Sequence, residues 1–256
     1  MRIGKRNIDR SNFGVDVARR EIKIQIGARG SKLGTDWISF DRFDNSHLID
    51  YAWDLHCIPI EDDAVDCYVC NAVLEHVVDS DLAIFEMFRT LKPGGRIWTE
   101  VPFSQPYHAH PSDFRRWTLS GLKGSMEDFE EISAGIVVNL ASMIMPFARE
   151  VLKTSGVAVN DDALVNFENI AKGYEVRAAN PRFYSGVYFD GLKSRECDRE
   201  KVDFMQYRKR KYLERNRSEL TYDPMKLLST HDLADGMKAL EQRKIEEVQN
   251  LLGMSP

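Results

Sequence analysis

Asp66-Cys-Tyr-Val-Cys-Asn71-Ala-Val-Leu-Glu75-His76-Val77 and, after a short interval, Leu91-Lys-Pro-Gly-Gly95-Arg-Ile-Trp-Thr-Glu100-Val-Pro-Phe103 decide the fold. The run from Val65 to Cys70 is short, apolar and closed by the polar Asn71, which is the pattern of a buried strand. Leu82, Ile84, Phe85, Phe88 and Leu91 then recur near helical spacing, with Asp79 or Ser80 placed to cap the first turn. Pro93-Gly94-Gly95 ends that helix, and Arg96 to Val101 reads as the next strand. Strand, helix and strand in this order make a βαβ unit, whose two strands lie parallel.

The pattern extends in both directions. Glu21 to Ile26 alternates as a strand does and runs into the glycine-punctuated loop Gly27 to Gly34. Trp37 to Asp41 is a second short strand, and Leu48 to Asp54 is an apolar-rich segment. Downstream, 129–138 and 184–189 read as strands, and 118–126, 140–153 and 164–172 as helices, with Thr118 or Ser120 capping the first of them. The alternation predicts an α/β protein with a doubly wound, mostly parallel sheet. The domain is expected over residues 1–193, with a helical insertion at about 139–182. Residues 1–20 are polar and are expected on the surface. Residues 194–256 form a charged, helical C-terminal extension. In it, Leu233, Met237, Leu240, Ile245, Val248 and Leu252 give 229–252 an apolar stripe, to pack on its own domain or on a second copy in a homodimer.

Hydrophobic residues at 43% and charged residues at 29% fit a soluble chain with a full core. A net charge of -5 argues against nucleic acid as a partner. The basic run Arg208 to Lys211 reads as a solvated helix face. Cys57, Cys67, Cys70 and Cys197 read as free thiols of a cytoplasmic protein. Cys67 and Cys70 sit within a strand rather than at a helix start, so a redox or zinc site is not expected of them. The first residues lack the apolar run of a signal peptide, and no stretch approaches the length of a membrane span.

Doubly wound sheets bind ligands at the carboxyl ends of their strands. Here those ends carry Gly27 to Gly30, Asp41, Asp54, Asn71 and the run from Pro102 to His110. Glycines allow close backbone approach, and a carboxylate after the second strand suits two ribose hydroxyls. Histidine near neutrality suits proton removal, so His108 or His110 is the candidate base, with Asp113 to orient it. Tyr107 and Arg115 or Arg116 are candidates for holding the acceptor, the arginines suiting an anionic one. The alternatives are that these residues tie a loop down, or that His108, His110 and Asp113 hold a metal. His76 is expected in a structural hydrogen bond. Met143, Met145, Pro146 and Phe147 either cover the acceptor pocket or belong to the core.

Three motifs carry a family resemblance. Asp54-Leu55-x-x-Ile58-Pro59-Ile60 leading to Val65-Asp66, Leu74-Glu75-His76-Val77, and Leu91-Lys92-Pro93-Gly94-Gly95 together resemble class I S-adenosylmethionine-dependent methyltransferases of type 11. The resemblance covers about residues 21–122. It implies a seven-stranded Rossmann-like sheet and S-adenosyl-L-methionine as cofactor. By position it implies Gly27, Ala28, Arg29 and Gly30 at the methionyl part, with Arg29 toward its carboxylate. It likewise implies Asp41 at the ribose, Asp54 and Leu55 at the adenine, and Asn71 beside the sulfonium. The chain departs from the family at Gln25, which stands where an acid is usual, and in its stretched glycine spacing. Only ten residues separate Gly30 from Asp41, so the first crossover helix must be absent or a single turn. The Gly34-to-Asp41 link and the run from His108 to Thr118 resemble members found with saccharide biosynthesis genes. The expectation is methyl transfer to oxygen of a small-molecule or saccharide acceptor. The rivals are a non-catalytic binding protein of the same fold, an NAD-dependent oxidoreductase, which lacks its glycine fingerprint here, and a metal-dependent hydrolase.

Overall fold

The computed structural model describes residues 13–28, 32–44, 46–137, 140–155, 162, 164–170, 184–194 and 197–251. Six strands form one sheet: β1 (Lys23–Ile26), β2 (Ile38–Phe40), β3 (Val65–Asn71), β4 (Leu91–Pro102), β5 (Glu130–Val137) and β6 (Gly186–Leu192). Their order is β2-β1-β3-β4-β6-β5. The first four are mutually parallel, and β6 runs antiparallel to both β4 and β5. Ile26 pairs with Cys70 and Asn71 with Glu100, so the ends of β1, β3 and β4 open on one edge.

The described sheet has six strands rather than seven. The segment from Leu48 to Asp54 reaches β2 but makes only one isolated parallel bridge, Phe40 to Tyr51. The reason lies in Asp50. Its carboxylate accepts the Ser39 amide at 2.8 Å and also engages Lys32, so a side chain takes a donor that a ladder would use. Between β1 and β2, residues 32–37 form turns and no helix, as the short spacing requires.

Alternation along β3 sorts the core. Cys67 and Val69 face a cluster with Phe13, Val17, Trp37 and Trp98, while Tyr68 and Cys70 face the larger cluster on the other side. The two cysteines therefore point to opposite faces and cannot share a ligand. The first cluster corrects the expectation that residues 1–20 lie on the surface. Helix α1 (Phe13–Val17) buries Phe13 edge-on against Trp98 at 5.5 Å and covers a sheet face left bare by the missing crossover helix.

On the other face lies α2 (Ser80–Thr90), capped by the Asp79 carboxylate on the Leu82 amide. Next along the chain come α3 (Leu119–Ser125), capped by Thr118, and α4 (Leu140–Ser155). Residues 164–170 are also helical. Two longer helices follow β6: α5 (Arg199–Asn216) and α6 (Thr230–Leu251). Within the stripe of α6, Leu233 is fully buried in the main core and Met237 packs against it.

The basic run on α5 departs from the solvated face expected of it. Arg208 binds the Asp79 carboxylate, and Lys209 reaches the buried Glu86 at 2.8 Å. Glu86 already pairs with Arg89, so the run docks onto acids of α2 that need cations. Among the described residues, no helix is long and apolar enough to cross a membrane.

Candidate active site

The strand ends open into one cleft of about 2030 Å³. Its walls come from the ends of β1 and β2, the segment at Asp54 to His56, the turn after β3, the loop after β4, and α5.

Gly27 follows β1 with φ +69°, and its amide donates to the Phe40 carbonyl at 3.0 Å. A Cβ there would stand 2.4 Å from Val73 Cγ2, so the chain passes the turn after β3 with room for hydrogen only. Ala28 is buried and does not line the cleft. Arg29 and Gly30 lie outside the described residues. Gln25, in the family's acidic position, accepts the Leu33 amide at 2.7 Å and so pins the shortened crossover.

Asp41 closes β2. Its Oδ1 caps the amides of Phe43 and Asp44, while Oδ2 faces Gly27. Asn71 ends β3 on the same edge, and its buried Oδ1 meets no hydrogen-bond partner in the chain. A buried amide oxygen without a partner carries a desolvation cost that a ligand donor removes.

Asp54 lines the cleft with Leu55, but its oxygens are spent on the protein. Oδ1 accepts His56 N at 2.9 Å and His56 Nδ1 at 2.6 Å; Oδ2 accepts Tyr212 Oη at 2.7 Å and also binds Arg42. Burial opposes ionisation of Asp54, but the bonds from His56 and Tyr212 outweigh it and hold the carboxyl below its usual range. Tyr212 also stacks on His56, with ring centroids 4.0 Å apart. Asp54 thus binds the wall to α5, and Leu55 is left to present an apolar surface.

The turn after β3 and the loop after β4 meet over Glu75. The Phe114 amide donates to the Glu75 carbonyl at 2.7 Å. The Glu75 carboxyl is fully buried, and neither oxygen meets a hydrogen-bond partner outside its own residue's backbone. Burial raises its pKa to about 7. Two histidine Nε2 atoms face it, His76 at 3.8 Å and His108 at 3.9 Å. His76 Nδ1 lies 2.6 Å from the Ser112 carbonyl and His108 Nδ1 lies 3.0 Å from the Pro106 carbonyl. A carbonyl only accepts, so each Nδ1 carries a hydrogen, and each Nε2, which bears the lone pair when the ring is neutral, is turned toward Glu75. Burial lowers the His76 pKa and favours that neutral form.

Other expected residues have different places. His110 and Tyr107 line the outer cleft, exposed. Asp113 stands behind the loop, where it accepts the His108 amide at 2.9 Å and a two-pronged pair from Arg116, with its Oδ2 also 3.4 Å from His108 Nδ1, as expected of a group that orients that ring. Arg116 also donates to the carbonyls of Gln105 and Pro106. Arg115 lies 3.8 Å from Asp81 on α2. Neither arginine lines the cleft, so both act on the loop rather than on its contents. Of the insertion residues, Met145 is buried, Pro146 lines the cleft and Phe147 is exposed; the surroundings of Met143 lie outside the description.

The bond from Arg116 holds Asp113 at a pKa of about 2, below its ordinary 3.8. A carboxyl whose folded pKa is depressed stabilises the fold above its unfolded value and loses that contribution as pH falls through the folded one. Asp113→Asn is therefore expected to be less stable than the parent chain at about pH 5, with the gap closing toward about pH 2. Urea unfolding across that range measures it; a constant gap would mean that the pair does not act through charge.

Two parts of the site were missed in the sequence. Glu75 was read only as a motif letter, although a glutamate between a buried strand and a helix is a signal of its own. The wall from α5, with Tyr207, Arg208, Lys211 and Tyr212, had no local signal, because its position depends on contacts 129 to 158 residues away.

Residues 34–99 match the protein family described as methyltransferase domain. Over this stretch the chain is similar to a methyltransferase domain. The match takes in β3, α2, the first part of β4 and the strand-end groups Asp41, Asp54 and Asn71. Among curated proteins, the ubiquinone/menaquinone biosynthesis C-methyltransferase UbiE of Pasteurella multocida (strain Pm70) is 43% identical over 49 residues, or 19% of this chain and 18% of that protein. The chain thus matches less than a fifth of that relative's length. Among solved structures, the cyclase SpnF aligns over 70% of this chain and 78% of its own, at 18% identity and a TM-score of 0.45. Phosphoethanolamine N-methyltransferase 2 of Haemonchus contortus, solved in complex with S-adenosyl-L-methionine, aligns over 69% of this chain and 49% of its own, at 13% identity and a TM-score of 0.44.

Proposed function

We propose that this chain transfers a methyl group from S-adenosyl-L-methionine to a hydroxyl of a small-molecule or saccharide acceptor in the cytoplasm. The observation that carries the reading is the unpartnered Asn71 Oδ1, buried in the same cleft as the Nε2 lone pairs of His76 and His108. The residues present fit the cofactor. Gly27 supplies a close backbone approach, Asp41 has Oδ2 turned to the cleft floor, and Leu55 offers an apolar surface. When bound, the cofactor supplies an electrophilic methyl on a sulfonium. The chain's task is then alignment and proton removal. Asn71 orients the donor end, and His108 Nε2 takes the acceptor's proton while its Nδ1–H stays on Pro106. Tyr107 and His110 border the acceptor's entrance. A homodimer through the exposed part of α6 is compatible with this arrangement.

Calorimetry with S-adenosylhomocysteine is expected to show saturable binding in the micromolar range. No heat at millimolar ligand would remove the cofactor from the reading. With an acceptor in hand, His108→Ala is expected to lower kcat by about 100-fold or more. Unchanged turnover in both His108→Ala and His110→Ala would reject the base.

A further inference from the structure

We infer that Glu75, His76 and His108 form a binding site for a divalent transition-metal ion, with open coordination positions on the cleft. The three ligand atoms lie within 4.8 Å of one another. Glu75 Oε1 is 3.8 Å from His76 Nε2 and 3.9 Å from His108 Nε2. Bonds of about 2.0–2.2 Å to one ion place its ligands roughly 3–4.3 Å apart, so small side-chain shifts close the set. This set differs from the His108, His110 and Asp113 grouping that spacing alone allows, because Asp113 is spent on Arg116.

Three observations point the same way. Both histidines donate Nδ1–H to a backbone carbonyl, Ser112 for one and Pro106 for the other. That is how a protein fixes the ring and tautomer of a metal-binding histidine. The rings stand nearly perpendicular, at 87°, so they reach the shared space from different directions. Glu75 is fully buried with its oxygens unpartnered, and a buried carboxylate is tolerated when it is paired or coordinates a cation. Two imidazoles and one carboxylate suit zinc, cobalt, manganese or iron(II), and not magnesium or calcium, which take oxygen shells. Three protein ligands leave room for a water or for an acceptor oxygen, and all three residues line the cleft. With the His108 lone pair on the ion, a hydroxyl bound there would be acidified and would release its proton to water in the cleft, so that His108 would hold the ion instead of acting as the base. That consequence rests on the methyl-transfer reading; the metal site itself does not.

The test is a Co²⁺ titration of the full-length, untagged, metal-stripped chain without cofactor, followed by visible absorption, with Zn²⁺ calorimetry alongside. One ion per chain is expected, with d–d bands that Zn²⁺ displaces. Glu75→Gln and His108→Gln are expected to weaken binding by about 10- to 100-fold or more, with circular dichroism unchanged. His231→Gln, exposed on α6, should bind as the parent does. Absence of bands at millimolar Co²⁺, or bands that persist in both site variants, would overturn the proposal. Because no cofactor is present, failure to bind S-adenosylhomocysteine would leave this result standing, and the reverse also holds.

Discussion

Glu86→Ala is expected to destabilise the chain by about 3–5 kcal/mol, because it strands a buried cation. Glu86 is fully buried on α2 and accepts Arg89 Nε and Nη2, each at 2.9 Å, the Ile58 amide at 3.1 Å and Lys209 Nζ at 2.8 Å. Arg89 is itself buried and spends its remaining donors on the carbonyls of Ile58 and Ile60 and on Asp62. The network thus ties the segment before β3, the helix after it and α5 to one carboxylate. Truncation leaves the Arg89 charge without its main partner and frees Lys209 from the domain. Urea unfolding at neutral pH measures the loss. A change under about 1 kcal/mol would mean that water or rearrangement replaces the carboxylate easily, as at a surface pair.

The largest expected effect on ligand binding is at Gly27. Valine there must adopt a positive φ, which costs a β-branched residue about 1–3 kcal/mol. Its Cβ must also displace Val73, whose Cγ2 would lie at 2.4 Å. Val73 belongs to the turn that follows Asn71 and precedes Glu75, so the displacement moves the cleft floor. If the competent geometry loses even 2 kcal/mol, affinity for S-adenosylhomocysteine falls by roughly 30-fold. Calorimetry of Gly27→Val against the parent checks this, with near-ultraviolet circular dichroism to report packing. Binding within about 3-fold of the parent would show that the glycine serves the turn alone.

The βαβ unit was legible because its signals are local. An apolar run closed by Asn71 and a stripe with Asp79 at its head each state one element, but the helix already ends at Thr90, and Pro93-Gly94-Gly95 lies inside β4 rather than ahead of it. The short first crossover was legible from a count of residues. The missing edge strand was not, since it depends on one side chain, Asp50, taking the Ser39 amide. Nor was α1, whose Phe13 and Val17 look ordinary until the bare sheet face beneath them is known. In the site, Gly27, Asp41 and Asn71 were placed at the cleft by the rule of strand ends. The sequence offered no means to see that Asp54, Arg115 and Arg116 would spend their charges on the protein. Partner choice among charged side chains is a tertiary property, whereas the end of a strand is a local one.

The tie from Asp54 to Tyr212 has a consequence in time. It joins residues 158 positions apart, and the Arg42 to Glu219 pair joins residues 177 apart. Closing such long loops is slow and follows the local contacts that reward it sooner. On a ribosome, the sheet from β1 to β4 can assemble well before the last wall of its cleft has emerged. The nascent domain therefore holds its ligand-binding edge open to the surroundings, and the cleft is finished only when α5 arrives to shut it.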